Sequence, residues 1–188
     1  MSDPRAGLLE ALAALVPADA REAGDRVRIG DFVRRHRDPF DRAIVAGHLT
    51  GSALIIAEGL DRVLLLHHKR LERWLQPGGH ADPGEARGEA VALREAREET
   101  GLEGLVLHPT APRPFDVDVH EIPARGAEAA HLHLDLRYLV LAPGEASLVR
   151  AVEESNDLRW FAWDALPGLD LDPGLTRAYA KAARLVGV

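Results

Sequence analysis

Apolar positions along the chain change their spacing several times, and each change predicts an element. Leu8, Leu12 and Leu15 recur at helical intervals after Asp3-Pro4, which reads as an N-cap followed by Pro at the first helical position, and Pro17 ends the stripe. Val27, Phe32 and Val33 lie among charges in a second helical segment over about 19–37, interrupted by Gly24 and Gly30 and closed by Asp38-Pro39. From His48 the texture becomes strand-like. Leu54-Ile55-Ile56, a turn over Glu58 to Asp61, and Val63 to Leu66 read as a hairpin. From Glu89 to Thr100 there is neither Pro nor Gly, Ala, Leu, Arg and Glu dominate, and Gly101 stands where a left-handed helix end favours a residue without Cβ, so a helix is predicted. Short strands follow at Leu105 to Leu107 and, past Pro109, Pro112 and Pro114, at Phe115 to His120; 123–130 is a loop. From His131 to Leu141 the pattern alternates, with Leu132, Leu134, Leu136 and Tyr138 on one face and His131, His133, Asp135 and Arg137 on the other, as in a half-buried strand. Asn156 to Ala162 is a further strand and Pro173 to Val186 a terminal helix.

Strands on both sides of one long helix, plus a terminal helix, fit a layered α/β domain with a mixed sheet. The expected organisation is a helical N-terminal extension over 1–40, serving as a lid, a packing element or a dimer arm, followed by the domain proper over 41–188.

Charge changes the picture at the long helix. Glu95, Glu98 and Glu99 stand at i, i+3 and i+4, so three carboxylates share one face while Leu93 and Ala96 look away. Like charges so spaced repel by roughly 0.2–0.5 kcal/mol per pair, and the C-terminal end of the helix dipole disfavours anions further. A hard divalent cation with oxygen ligands, Mg²⁺ first, would relieve the cluster and leave positions for water and substrate phosphate.

The same stretch resembles the signature of the Nudix hydrolases, which runs Gly, any five, Glu, any seven, then Arg-Glu-apolar-any-Glu-Glu-any-Gly-apolar. Gly79 and Glu85 match the first half, and Arg94 to Leu102 match every specified position of the second. Eight residues, Ala86 to Leu93, separate the halves where the pattern has seven. The extra residue is expected in the loop around Ala86 to Gly88, which leaves Glu95, Glu98 and Glu99 in register and weakens the case for Glu85 as a ligand. The resemblance covers about 49–186 and implies a Nudix α/β/α sandwich. It implies a metal seat of Glu95, Glu98, Glu99 and the Gly79 carbonyl for Mg²⁺, or Mn²⁺ in its place, with Arg94 holding the carboxylates. The general base is sought among Glu98, Glu99, Glu153 and Glu154, with Glu98 and Glu154 the first choices. The implied activity is a Mg²⁺-dependent pyrophosphohydrolase that cleaves a nucleoside di- or triphosphate, or a nucleoside diphosphate linked to another group, by water attack on phosphorus. The alternative is a non-catalytic nucleotide or metabolite sensor on the same fold.

Composition narrows the field. With 23 Lys+Arg against 30 Asp+Glu the net charge is −7, which argues against general binding of duplex nucleic acid or anionic membranes and leaves a small nucleotide as the expected partner. No Cys is present, so disulfides, thiolate metal sites, thiol catalysis and the Cys-dependent isomerase branch of the fold are excluded. The N-terminus lacks a basic segment followed by an apolar run, and no apolar stretch is long enough to span a bilayer, so a cytoplasmic protein is expected, with a homodimer through the extension left open. Among the nine His, His131, His133 and Asp135 share a strand face, but one strand cannot wrap a tetrahedral zinc and the sequence shows no further ligand for one. Arg137 on that face, His67 at a strand end and Trp160 as a stacking surface are the expected substrate-binding residues.

Overall fold

The longest ladder of the sheet joins segments far apart in the chain: β1 (Gly47–Ala57) runs parallel to β7 (His131–Ala142), in register from Gly47↔Leu132 to Ala57↔Ala142. The structure is a computed structural model that describes residues 4–126, 129–144, 148–151, 153 and 155–188. On the other edge of β1, β2 (Arg62–His68) closes the expected hairpin and β4 (Gly78–His80) pairs beside it, both antiparallel. β3 (Arg73–Leu75) and β8 (Ser155–Ala162) extend the sheet from β2, and β5 (Val106–Leu107) and β6 (Asp116–Ile122) extend it from β7. The sheet is therefore mixed, with β1 as a strand buried along its whole length.

Helices cover both faces. α3 (Gly88–Thr100) lays Val91, Ala92 and Ala96 on Leu49, Ala53 and Ile55 of β1 and on Leu134, Leu136 and Tyr138 of β7. α4 (Pro173–Val186) covers the opposite face, where Leu175, Ala178, Tyr179 and Ala182 meet Leu54, Ile56, Leu65 and Leu139. Its N-terminus is capped by Asp172, whose carboxylate accepts from the Leu175 N–H at 3.0 Å. α1 (Pro4–Ala14) and α2 (Ala20–Arg35) occupy the N-terminal region; Asp3, the expected cap of α1, lies outside the described residues. Leu12, Ile29 and Val33 from these helices, with Leu15 just past the end of α1, enter the same core as α3. Burying each such side chain contributes about 1.5–3 kcal/mol, so the N-terminal helices are packed as part of the domain.

β7 departs from the half-buried strand expected of its alternation. Its polar face is buried too, with Asp135 and Arg137 only 2% and 3% exposed. The reason is a layer of ion pairs drawn from four elements. Arg137 donates through Nη1 to Asp116 at 3.2 Å and through Nε to Asp135 at 3.3 Å. Arg177 of α4 donates to both oxygens of the same Asp116, at 3.0 and 3.1 Å. Lys181 of α4 donates to the fully buried Glu22 of α2 at 2.5 Å. Buried charges persist when paired and hydrogen-bonded, and this network welds α2 and α4 to β6 and β7.

Candidate active site

Glycines set the position of α3. A Cβ on Gly51 of β1 would lie 2.6 Å from the Gly88 carbonyl oxygen, and one on Gly88 would lie 2.6 Å from the Tyr138 hydroxyl. The first turn of α3 thus sits against the sheet at a distance only Gly permits on either side. At the other end Gly101 takes the left-handed conformation (φ 68°) and donates its N–H to the Arg97 carbonyl, as expected from the sequence. The Val149 N–H donates to the Thr100 carbonyl at 2.8 Å and the Ala151 N–H to the Glu99 carbonyl at 3.3 Å, so the chain before β8 is tied to the end of α3.

Between these anchors Arg94 organises the acidic face. Its Nη1 donates to Glu95 Oε1 and to Glu98 Oε2, both at 3.1 Å, while Nη2 donates to the His80 carbonyl at 2.6 Å and to Glu85 Oε2 at 2.9 Å. The guanidinium holds the Glu85 carboxyl below its usual range, through direct hydrogen bonding first. Glu99, on the buried side of the helix, accepts from the Gly78 N–H at 2.9 Å. A Cβ on Gly79 would stand 2.6 Å from the Glu95 carboxylate, so this backbone approaches the acid only because it is Gly. The carboxylates of this face and the adjoining Gly79 backbone are oxygen donors of the kind a hard divalent ion prefers.

A groove of about 450 Å³ runs past this cluster. Gly78, Gly79, Glu95, Glu99 and Glu153 line one side. The other side is the polar end of the sheet face whose apolar end lies under α4: His133 and Asp135 of β7, with Thr50 and Ser52 of β1. Thr50 and Ser52 each donate a hydroxyl to Asp135 Oδ1 at 2.9 Å, which fixes that carboxylate. His68 and Arg70 stand at the rim. Burial, reinforced by neighbouring Arg42 and His131, lowers the His80 pKa to about 4, and burial among other imidazoles lowers that of His133 to about 2.

The expected site residues divide accordingly. Gly79, Arg94, Glu95, Glu98 and Glu99 come together at one place. Glu154 lies outside the described residues, whereas its neighbour Glu153 lines the groove. Arg137 is turned inward, its guanidinium held by Asp116, Asp118 and Asp135, and does not line the groove. His67 packs edge-on against Trp74, and strand alternation places His68, with Leu66, on the face of β2 that lines the groove. Trp160 packs against the core on the α3 side with Arg62 over its ring at 5.8 Å, away from the groove. His80 was not singled out from the sequence; its place directly after Gly78-Gly79 was the available signal.

The model of the NUDIX domain matches residues 33–183. A Bacillus subtilis (strain 168) protein, whose name provisionally assigns it 8-oxo-dGTP diphosphatase activity, is 43% identical over 51 residues. That match takes in 27% of this chain and 34% of the relative, so the chain spans about a third of the length of the curated relative it matches. Three solved structures share the fold. The Caenorhabditis elegans Ap4A hydrolase binary complex superposes with a TM-score of 0.59 at 20% identity, over 74% of this chain and 98% of that one. A NUDIX-family hydrolase from Clostridium perfringens gives 0.58 at 23% identity, over 73% and 97%. The Escherichia coli dihydroneopterin triphosphate pyrophosphohydrolase gives 0.57 at 20% identity, over 74% and 96%. With the family model spanning the sheet, α3 and most of α4, and with the acidic helix clasped by Arg94 against Gly78-Gly79, the chain belongs to the Nudix family.

Proposed function

We propose that the protein is a Mg²⁺-dependent pyrophosphohydrolase acting on a nucleoside di- or triphosphate, or on a nucleoside diphosphate linked to another group. The reading rests on one observation: Arg94 gathers Glu85, Glu95 and Glu98 while the Gly78 N–H holds Glu99, with Glu95 against Gly79 and both Glu95 and Glu99 on one wall of the groove. Glu95, Glu98, Glu99 and the Gly79 carbonyl would hold the ion. When bound, it supplies charge neutralisation at the phosphoryl oxygens and a lowered pKa for water. The names of the fold relatives, an Ap4A hydrolase and a dihydroneopterin triphosphate pyrophosphohydrolase, support a phosphoanhydride as the bond attacked.

The chain's own groups do the rest. Arg94 fixes the carboxylates without touching the reacting phosphorus, as a charge-assisted clamp. Arg70 and His68 at the rim bind substrate phosphate oxygens. Glu153 shares the groove with Glu95 and Glu99 and accepts the proton of the attacking water, while Glu98 is committed to Arg94 and the ion. A nucleotide screen with Mg²⁺ and phosphate or pyrophosphate detection tests the reading. Turnover that falls about 100-fold or more in Glu98→Gln, with the fold intact, is expected, since even outer partners of metal ligands are worth about 10–100-fold. Undiminished turnover in that variant at saturating Mg²⁺ would remove the carboxylate seat from the mechanism.

A further inference from the structure

The polar strand face of β7 acquires neighbours that the sequence did not show. His48 of β1 lies opposite His133 in the parallel ladder, and His80 of β4 lies opposite Thr50, one strand position of the same face further along β1. The three rings gather at centroid separations of 5.0 Å for His48–His80, 5.0 Å for His48–His133 and 4.8 Å for His80–His133. One nitrogen from each can be chosen so that all three lie within 4.8 Å of one another, and Nε2 of His80 is 3.1 Å from Nε2 of His133.

We propose that His48, His80 and His133 form a second metal site, for a borderline transition ion such as Zn²⁺, chemically separate from the carboxylate seat on α3. A tetrahedral Zn²⁺ with ligands at about 2.0–2.1 Å holds its nitrogen donors roughly 3.3 Å apart, close to the 3.1 Å between His80 and His133. His48, on the adjacent strand, brings a ring nitrogen within 4.8 Å of theirs. Three ligands from three paired strands surround an ion as the His131, His133 and Asp135 face of one strand cannot. Imidazole donors select Zn²⁺ and its neighbours over Mg²⁺, whereas the oxygen donors on α3 do the reverse. His80 and His133 also line the groove, so the fourth position of the ion opens toward it, where water or a substrate oxygen completes the shell.

The test uses the full chain purified without a histidine tag and titrated with Co²⁺ in excess Mg²⁺, which keeps the oxygen seat occupied. One equivalent of Co²⁺ with the intense visible bands of tetrahedral coordination, displaced by Zn²⁺, is expected. In His133→Ala and His80→Gln, checked for folding by circular dichroism and melting, affinity for Co²⁺ is expected to fall about 10-fold or more, and in Glu98→Gln to persist. The milder His80→Gln keeps the test decisive where His133→Ala does not fold. Absence of tetrahedral bands, bands unchanged in both His variants, or bands lost in Glu98→Gln but kept in His80→Gln would each overturn the proposal.

Discussion

Arg94 Nη2 and Glu85 Oε2 stand 2.9 Å apart, across an interval one residue longer than the family pattern allows. The longer interval does not separate the two halves of the signature. Asp82 accepts from the Glu85 N–H at 2.9 Å and returns its own N–H to Glu85 Oε2 at 2.8 Å, folding 82–85 into a turn that presents the carboxylate to Arg94. Gly88 is no spare residue, since it begins α3 and packs against Tyr138, so the extra length is taken up by Ala86 and Arg87. On the proposed reading Glu85 acts through Arg94, which it holds in place beside Glu95 and Glu98.

Glu85→Gln is accordingly expected to reduce turnover less than Glu95→Gln does, and to leave a mark on stability against pH. Arg94 depresses the folded pKa of Glu85, so the contribution is present above the unfolded value of about 4.3 and is lost as pH falls through the lower folded value. Urea melts from pH 7 to 3 should show wild type losing its margin over Glu85→Gln at the acid end. A margin that does not change with pH would contradict the assignment.

Mg²⁺ should raise the thermal midpoint beyond the effect of NaCl at equal ionic strength, because it relieves the repulsion among Glu95, Glu98 and Glu99. At a hundredfold excess over Kd the shift for a chain this size is roughly 5–10 °C. A Glu95→Gln/Glu99→Gln double variant should lose most of it. Identical wild-type curves in the two salts would make the acidic face an ordinary solvated one.

Two glycine substitutions should separate activity from stability. In Gly79→Ala the new Cβ meets the Glu95 carboxylate, which can swing aside, so turnover should fall roughly 100-fold while the melting curve changes little. In Gly51→Ala the Cβ meets the backbone oxygen of Gly88, which cannot yield, and a loss of about 1–3 kcal/mol is expected in urea titrations. The reverse pattern would mean that Gly79 serves packing alone.

Asp116→Ala should cost about 3–5 kcal/mol, since it removes from the interior the carboxylate that Arg137 and Arg177 share, leaving each with fewer and longer ion pairs. The urea midpoint should fall with little change in slope. A loss below about 1 kcal/mol would show that water reaches this layer and screens it.

Local chemistry made α3, α4 and the β1–β2 hairpin readable in advance, because capping, propensity and turn residues all act within a few positions. The clustering of Glu95, Glu98 and Glu99 was readable for the same reason: helical spacing alone puts them on one face. What lay beyond reach were consequences of distant pairing. Arg137 looked solvent-facing because Asp116 follows a proline-broken stretch and Arg177 comes from the last helix. Which of His67 and His68 faces the groove depends on which face of β2 the groove adjoins, and that is set by the strands and helix packed around it. The histidines at 48 and 80 meet His133 only once three strands are side by side.

The parallel ladder of β1 and β7 also governs when this architecture can come into being. Its partners are separated by most of the domain, so loop-closure entropy opposes their meeting until the intervening hairpin and helix have condensed. On a ribosome β1 emerges long before β7 and must wait with that edge uncovered, a template open to wrong partners. The groove wall carrying His133 and Asp135 is then among the last parts of the molecule to form. Pulse-labelled hydrogen exchange should find the β7 amides protected later than those of α3, and early protection of β7 would reverse that order.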